Sequence, residues 1–274
     1  MRKIYFILLF LSAFYFSNAA TVDTILVHSN SMNKNLKAVI ILPAAYSTTA
    51  HFPTVYLLHG YSGNFSNWIK KVPSLQQLSN DNQIIIVCPD GAYSSWYFDS
   101  PIDSSYRYET FITKELVEYV DSKYQTINNR KARAITGLSM GGHGGLFLGI
   151  RHQDIFGACG SMSGVTDLMS LAGKDDIPKR IGDTTHYLQN WKDLSVINQI
   201  EKIKTDSLSI IFDCGTEDFF YEINKNLHQK MLQLKIKHDY IERPGKHDWN
   251  YWGNAVKYQI LFFKEYFNKN AIKN

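Results

Sequence analysis

Short runs of apolar residues alternate along this chain with stretches of helical period, and that alternation constrains the fold more than any other feature of the sequence. Thr54-Val55-Tyr56-Leu57-Leu58 and Ile84-Ile85-Ile86-Val87 offer no charged face to water, so they read as central strands covered on both sides. Ala132 to Thr136, Phe156 to Met162, Leu208 to Asp213 and Lys237 to Glu242 continue the set. Thr24 to His28 and Leu36 to Leu42, joined by the polar turn Asn30 to Asn35, read as an opening antiparallel pair. Tyr108, Phe111, Ile112, Leu116, Tyr119 and Val120 recur at three- and four-residue steps and predict a helix over Tyr106 to Tyr124. Further helices are expected over Gly142 to Ile150, Lys192 to Lys202, Phe220 to Leu234 and Asn254 to Phe267. Such alternation implies an α/β fold, a mostly parallel sheet of about eight strands with helices on both faces. No repeat or Pro/Gly/Ser linker interrupts it, so residues 20–274 read as a single domain. Val165 to Trp191 lacks a clear period and reads as a lid-like insertion.

Residues 1–19 stand apart. Met1-Arg2-Lys3 is positively charged, Ile4 to Phe16 is almost wholly apolar, and Ser17-Asn18-Ala19-Ala20 offers small residues for a signal peptidase, with cleavage after Ala19. The apolar run is short for a bilayer span, so the segment reads as an export signal, with an uncleaved anchor as the alternative. A secreted or periplasmic location follows, without stable membrane insertion after cleavage. The absence of a cysteine at the cleavage point argues against a lipoprotein. Export predicts an oxidising compartment, yet the three cysteines, Cys88, Cys159 and Cys214, lie in apolar strand-like surroundings. They read as buried free thiols, with one pair plus an odd cysteine as the alternative. The 29 basic and 25 acidic residues give a net charge of +4, of which Arg2 and Lys3 supply two, so nothing supports a nucleic-acid partner.

The chemistry centres on Ser139. Gly137-Leu138-Ser139-Met140-Gly141 is a Gly-x-Ser-x-Gly nucleophile elbow, in which the serine sits on a sharp turn from strand to helix and side chains two positions away would clash. Ala132 to Thr136 supplies the strand and Gly142 to Ile150 the helix. Gly142, Gly144, Gly145 and Gly149 disfavour helix by about 1 kcal/mol each, which predicts very close packing of helix on sheet. Gly160-Ser161-Met162-Ser163-Gly164 has no serine at the central position and reads as a strand-end loop.

A serine needs a base, and the base needs an orienting acid. Of nine histidines, His247 lies in a loop between the last strand and the last helix, where a parallel sheet's C-terminal edge would meet the nucleophile. His238 begins the preceding strand, at the opposite edge. His143 falls on the elbow helix and is expected to line the pocket. His59 reads as a structural hydrogen-bonder. The acid should follow Leu208 to Asp213. Asp218 lies past the glycine turn of Asp213-Cys214-Gly215-Thr216-Glu217-Asp218 and is favoured, with Glu217 and Asp213 as alternatives and helix capping as a competing role for Asp218. Two backbone N–H groups must receive the oxyanion: that of Met140, and that of Tyr61 in His59-Gly60-Tyr61-Ser62-Gly63. Trp68, Trp96, Tyr97, Trp249 and Trp252 cluster about these loops and are expected either to stack on substrate rings or to pack.

Together, Leu57 to Asn64, Trp68, Ser95-Trp96-Tyr97, Tyr108-Glu109-Thr110, Gly137 to Gly142, Gly215 to Asp218 and His247-Asp248-Trp249 resemble the esterase D-type family. That family includes feruloyl and acetylxylan esterases of carbohydrate esterase family one, tributyrin-type esterases, S-formylglutathione hydrolases and mycolyltransferases. The resemblance covers nearly the whole chain after residue 19. It implies the α/β-hydrolase fold, Ser139 as nucleophile, His247 as base, Asp218 as acid, and Tyr61 and Met140 as oxyanion donors. It implies an ester substrate, small or carbohydrate-linked. The chain lacks the cysteine-containing segment that S-formylglutathione hydrolases carry after the oxyanion glycine, so an exported short-chain or carbohydrate-linked ester hydrolase fits best. An S-formylglutathione hydrolase-like thioesterase or an acyltransferase using the same triad, and a non-catalytic carbohydrate-binding relative, are the alternatives. The chemistry requires no cofactor, and the chain carries no His-Glu-x-x-His, Cys-x-x-Cys or phosphate-loop pattern that would imply a metal or nucleotide.

Overall fold

The structure, a computed structural model, describes residues 20–174 and 176–271. The expected export signal therefore lies outside the described residues. The strands are β1 (Thr21–Ser29), β2 (Lys34–Leu42), β3 (Thr54–Leu58), β4 (Ile85–Pro89), β5 (Arg133–Gly137), β6 (Ala158–Met162), β7 (Ser209–Gly215) and β8 (Asp239–Arg243). They form one sheet in the order β1-β2-β4-β3-β5-β6-β7-β8. β2 runs antiparallel to both β1 and β4, and all other pairings are parallel.

The central strands are apolar throughout because both of their faces are covered. Successive side chains point to opposite faces, so Val55 and Leu57 of β3 enter one core while Tyr56 and Leu58 enter the other. The first core is closed by α1 (Asn67–Lys71), α2 (Leu75–Asn82) and α7 (Trp249–Asn270), through residues such as Trp68, Leu75 and Phe263. The second is closed by a helix over residues 108–123, α3, with α4 (Met140–Arg151) and α6 (Tyr221–Gln233), through Phe111, Phe147 and Leu227. Polar alternation returns only at the edge, where four consecutive β1 residues from Thr21 are exposed.

Three helical expectations change. The stretch expected as one helix over Tyr106 to Tyr124 contains π-helical turns at Phe111–Leu116. The helix expected over Lys192 to Lys202 is instead α5 (Leu188–Leu194) followed by two short 3₁₀ turns, Val196–Asn198 and Ile200–Lys202. The Ser195 side chain explains the break: its hydroxyl donates to Trp191 O and receives the Leu168 N–H, tying the chain to the preceding segment. The last helix begins at Trp249 rather than Asn254, because Asp248 caps it by accepting the Tyr251 N–H at 3.0 Å. Of Gly160 to Gly164, expected as a strand-end loop, the residues up to Met162 belong to β6. The three cysteines are buried and unpaired, and no helix among the described residues is long and apolar enough to cross a membrane.

Candidate active site

Parallel strands place all their C-terminal ends on one edge, and β5, β7 and β8 deliver Ser139, Asp218 and His247 there. Ser139 follows β5 with φ 54° and ψ −115°, a region that L-residues rarely occupy. The turn is this sharp because the flanking glycines let backbones touch. A Cβ on Gly137 would meet Leu58 O at 2.6 Å, and one on Gly141 would meet His59 O at 2.5 Å. Farther along α4, a Cβ on Gly145 would run into Gly160 O, so the glycine run does allow the helix to lie directly on the sheet.

The three side chains meet. Ser139 Oγ–H donates to His247 Nε2 at 2.9 Å, and His247 Nδ1–H donates to Asp218 Oδ2 at 2.8 Å. The other Asp218 oxygen accepts the Phe220 N–H at 2.8 Å, so this carboxylate also shapes the start of α6. Backbone bonds hold the two loops together: Thr216 N–H donates to Arg243 O at 2.9 Å and Glu217 N–H to Gly245 O at 3.0 Å. The remaining carboxylates of that loop go elsewhere. Glu217 is exposed, 3.7 Å from Lys246 Nζ. Asp213 is fully buried, accepting from Gln259 Nε2 at 2.8 Å and lying 3.4 Å from Arg243. Burial pushes its carboxyl up to about 6, against the pull of Gln259 and Arg243.

A cleft of about 680 Å³ opens over Ser139. One wall is the Gly60–Gly63 loop with Asn67. Trp249 and Trp252 form a second, and Phe219, Phe220 and Ile223 a third. Ser170, Leu171 and Lys174 reach the rim from the segment expected to be a lid-like insertion. Tyr61 lies against Tyr93, ring centroids 4.9 Å apart. Met140 holds the first position of α4, where a helical N–H has no intrahelical acceptor.

Of the aromatic and imidazole side chains expected at the substrate, Trp96 and Trp249 line the cleft and Trp68, Tyr97 and His143 do not. This corrects the expectation for those three, each of which is buried behind the wall by its own polar bond. Trp68 Nε1–H donates to Leu58 O at 2.9 Å beneath Trp249. Tyr97 O–H donates to His59 O at 3.0 Å. His143 lies between the carbonyls of Trp96 and Leu194, at 3.0 and 2.9 Å, and donates to one of them while neutral; burial pushes it down to about 4. His59 behaves as the sequence suggests, its Nδ1–H donating to Gly60 O and its Nε2 accepting the Gly91 N–H, each at 2.8 Å.

Phe219, Phe220, Ile223, Leu171 and Lys174 were not singled out in the sequence. The signal for the two phenylalanines was their position directly after Asp218.

The family model described as "Putative esterase" matches residues 29–262. The chain belongs to this esterase family. Membership indicates a hydrolase, and the family acts on small ester substrates. An acetyl esterase of Caldicellulosiruptor saccharolyticus is 27% identical over 252 residues, covering 84% of this chain and 92% of that protein. A diacylglycerol acyltransferase/mycolyltransferase Ag85A of Mycobacterium gordonae is 28% identical over 272 residues, covering 86% of this chain and 78% of that one. A solved ferulic acid esterase aligns with a TM-score of 0.77 at 27% identity, over 90% of this chain and 98% of that one. An S-formylglutathione hydrolase (FrmB) from Staphylococcus aureus shares the fold, with a TM-score of 0.77 at 20% identity over 89% of this chain and 99% of that one. The fold of this family member is that of the α/β hydrolases.

Proposed function

We propose that this protein is an exported serine carboxylesterase that hydrolyses short-chain acyl or carbohydrate-linked esters, acetyl or feruloyl, through an acyl-enzyme. The observation that carries the reading is the continuous hydrogen-bonded line from Ser139 Oγ through His247 to Asp218, at 2.9 and 2.8 Å, opening into a cleft. In the proposed mechanism His247 accepts the Ser139 proton as Oγ attacks the ester carbonyl. The backbone N–H groups of Tyr61 and Met140 receive the oxyanion; one such donor is worth about 3 kcal/mol in the transition state. Asp218 holds the imidazole in the tautomer that accepts at Nε2 and stabilises the imidazolium. His247 protonates the departing alcohol, then activates the water that releases the acid. The apolar segment before Ala20 supports export.

Ser139→Ala should lower kcat on p-nitrophenyl acetate by at least about a thousandfold. A variant keeping most of the activity would overturn the assignment. The acyltransferase-named relatives favour a second reading, transfer to an alcohol instead of water. Product analysis with added acceptor alcohols separates the two, because transfer yields a new ester and hydrolysis the free acid.

A further inference from the structure

In the resting site the His247 imidazole is held at both nitrogens, Nδ1 by Asp218 at 2.8 Å and Nε2 by Ser139 at 2.9 Å. An acyl-enzyme keeps only the first of these bonds, because Ser139 Oγ, once esterified, has no proton to donate. Through the second half of the reaction the imidazole must then stay in place on one hydrogen bond and on whatever packs against its ring. Three rings pack there: Phe219 at 4.3 Å with a 41° tilt, Trp252 edge-on at 4.8 Å, and Phe220 edge-on at 5.2 Å. Phe220 and Trp252 are buried parts of the walls, whereas Phe219 is 72% exposed. An apolar ring left that open gains little from burial. Its ring contacts among the described residues are Phe220, at 4.5 Å, and His247. The chain sets its place: Phe219 directly follows the acid, and the Phe220 N–H donated to Asp218 at 2.8 Å fixes the turn that carries it.

We infer that Phe219 is a positioning residue for His247, and that it acts chiefly in deacylation. The inference rests on the serine-hydrolase reading above. In that step Nε2 takes a proton from water as the water oxygen bonds to the acyl carbon. Nε2 then returns the proton to Ser139 Oγ as the bond from Oγ to that carbon breaks and the acid departs. Both transfers need the imidazole held within hydrogen-bond reach of its partner. The Phe219 ring, lying along the imidazole, resists its swing about the single bond to Asp218. Acylation starts from an imidazole already pinned at both ends, so it depends on that ring less.

Hydrolysis of p-nitrophenyl acetate supplies the test, because its two half-reactions can be measured apart. Wild type, Phe219→Ala and Phe219→Tyr are compared by kcat/KM, which reports acylation, and by a deacylation constant. The latter is kcat divided by the fraction of enzyme carrying an acetyl group, read from the intact mass after an acid quench at saturating substrate. Phe219→Ala should lower the deacylation constant about tenfold while kcat/KM stays within about twofold of wild type. Phe219→Tyr, which keeps the ring, should restore deacylation. A merely structural role would depress both constants in parallel. Parallel falls, unchanged constants, or a loss confined to kcat/KM would overturn the inference, as would a Phe219→Tyr variant as slow as Phe219→Ala. Hydroxylamine adds a second readout. It is a stronger nucleophile than water and needs less help from the base, so it should raise kcat of Phe219→Ala by a larger factor than that of wild type. Equal factors would count as refutation. Thermal unfolding checks the fold of each variant. Turnover that survives Ser139→Ala would instead sink the serine-hydrolase reading, an outcome distinct from any of these.

Discussion

Asp213 shows how one carboxylate of a loop can be excluded from the site that its neighbour occupies. It lies inside β7, two residues before the strand's end, and its side chain points into the core, where Gln259 bridges it to Thr136 and to the Ser161 carbonyl. Burial raises its carboxyl from the ordinary 3.8 to about 6. The native state therefore holds this proton more firmly than the unfolded chain does. The stability that Asp213 contributes is greatest in acid and declines as pH rises through that interval. Asp213→Asn cannot ionise and escapes the decline, though it gives up the Arg243 pair at every pH. Urea unfolding should show the variant gaining on wild type by on the order of 2 kcal/mol between pH 4 and pH 7. A difference that stays flat across the range would mean that the carboxylate is fully compensated by Arg243.

At the scale of elements, the elbow was legible because its requirements are local: a strand, two glycines and a helix in immediate succession. The central strands were legible for a related reason, since residues buried on both faces leave no polar period to confuse. His247 and Asp218 could be read because parallel topology fixes which end of each strand faces the site. Side-chain direction could not be read. Trp68, Tyr97 and His143 lie beside the loops of the candidate site in sequence, yet each turns inward onto a backbone carbonyl. The π-helical turns were equally hidden, since Phe111, Ile112, Thr113 and Leu116 fit an α-helical period as well as a π one. Two loops must also stay in contact for the imidazole to meet its acid. Gly215 makes that possible, because a Cβ there would run into the Gly245 carbonyl. Gly215→Ala should therefore push the β7 and β8 loops apart, costing about 1–3 kcal/mol of stability and lowering kcat at least about tenfold. Steady-state kinetics beside a melting curve would test this; full activity with a lowered Tm would show that the loops tolerate the separation.

For the whole molecule, the sheet edge that carries the site is held by imidazoles that must stay neutral. His59 links the ends of β3 and β4 through Gly60 and Gly91, and His143 links the Trp96 loop to the end of α5. Burial lowers both, His143 to about 4. On acidification the unfolded chain takes up these two protons before the folded one does, so stability present above the ordinary imidazole range near 6.5 is lost as pH falls. Asp213 works in the opposite sense with a single proton. With two lowered imidazoles set against one raised carboxyl, these groups should make stability fall as the pH drops below the ordinary imidazole range. Unfolding free energies from urea titrations at pH 7, 6 and 5 would measure it, and His143→Gln should flatten the decline by removing one of the two protons. The loss should strike the rim first, because both imidazoles bind loop backbone around Ser139 rather than the strands themselves. Activity that recovers fully on return to pH 7, lost while far-ultraviolet circular dichroism is unchanged, is the expected signature. A wild type more stable at pH 5 than at pH 7 would show that Asp213 outweighs both imidazoles.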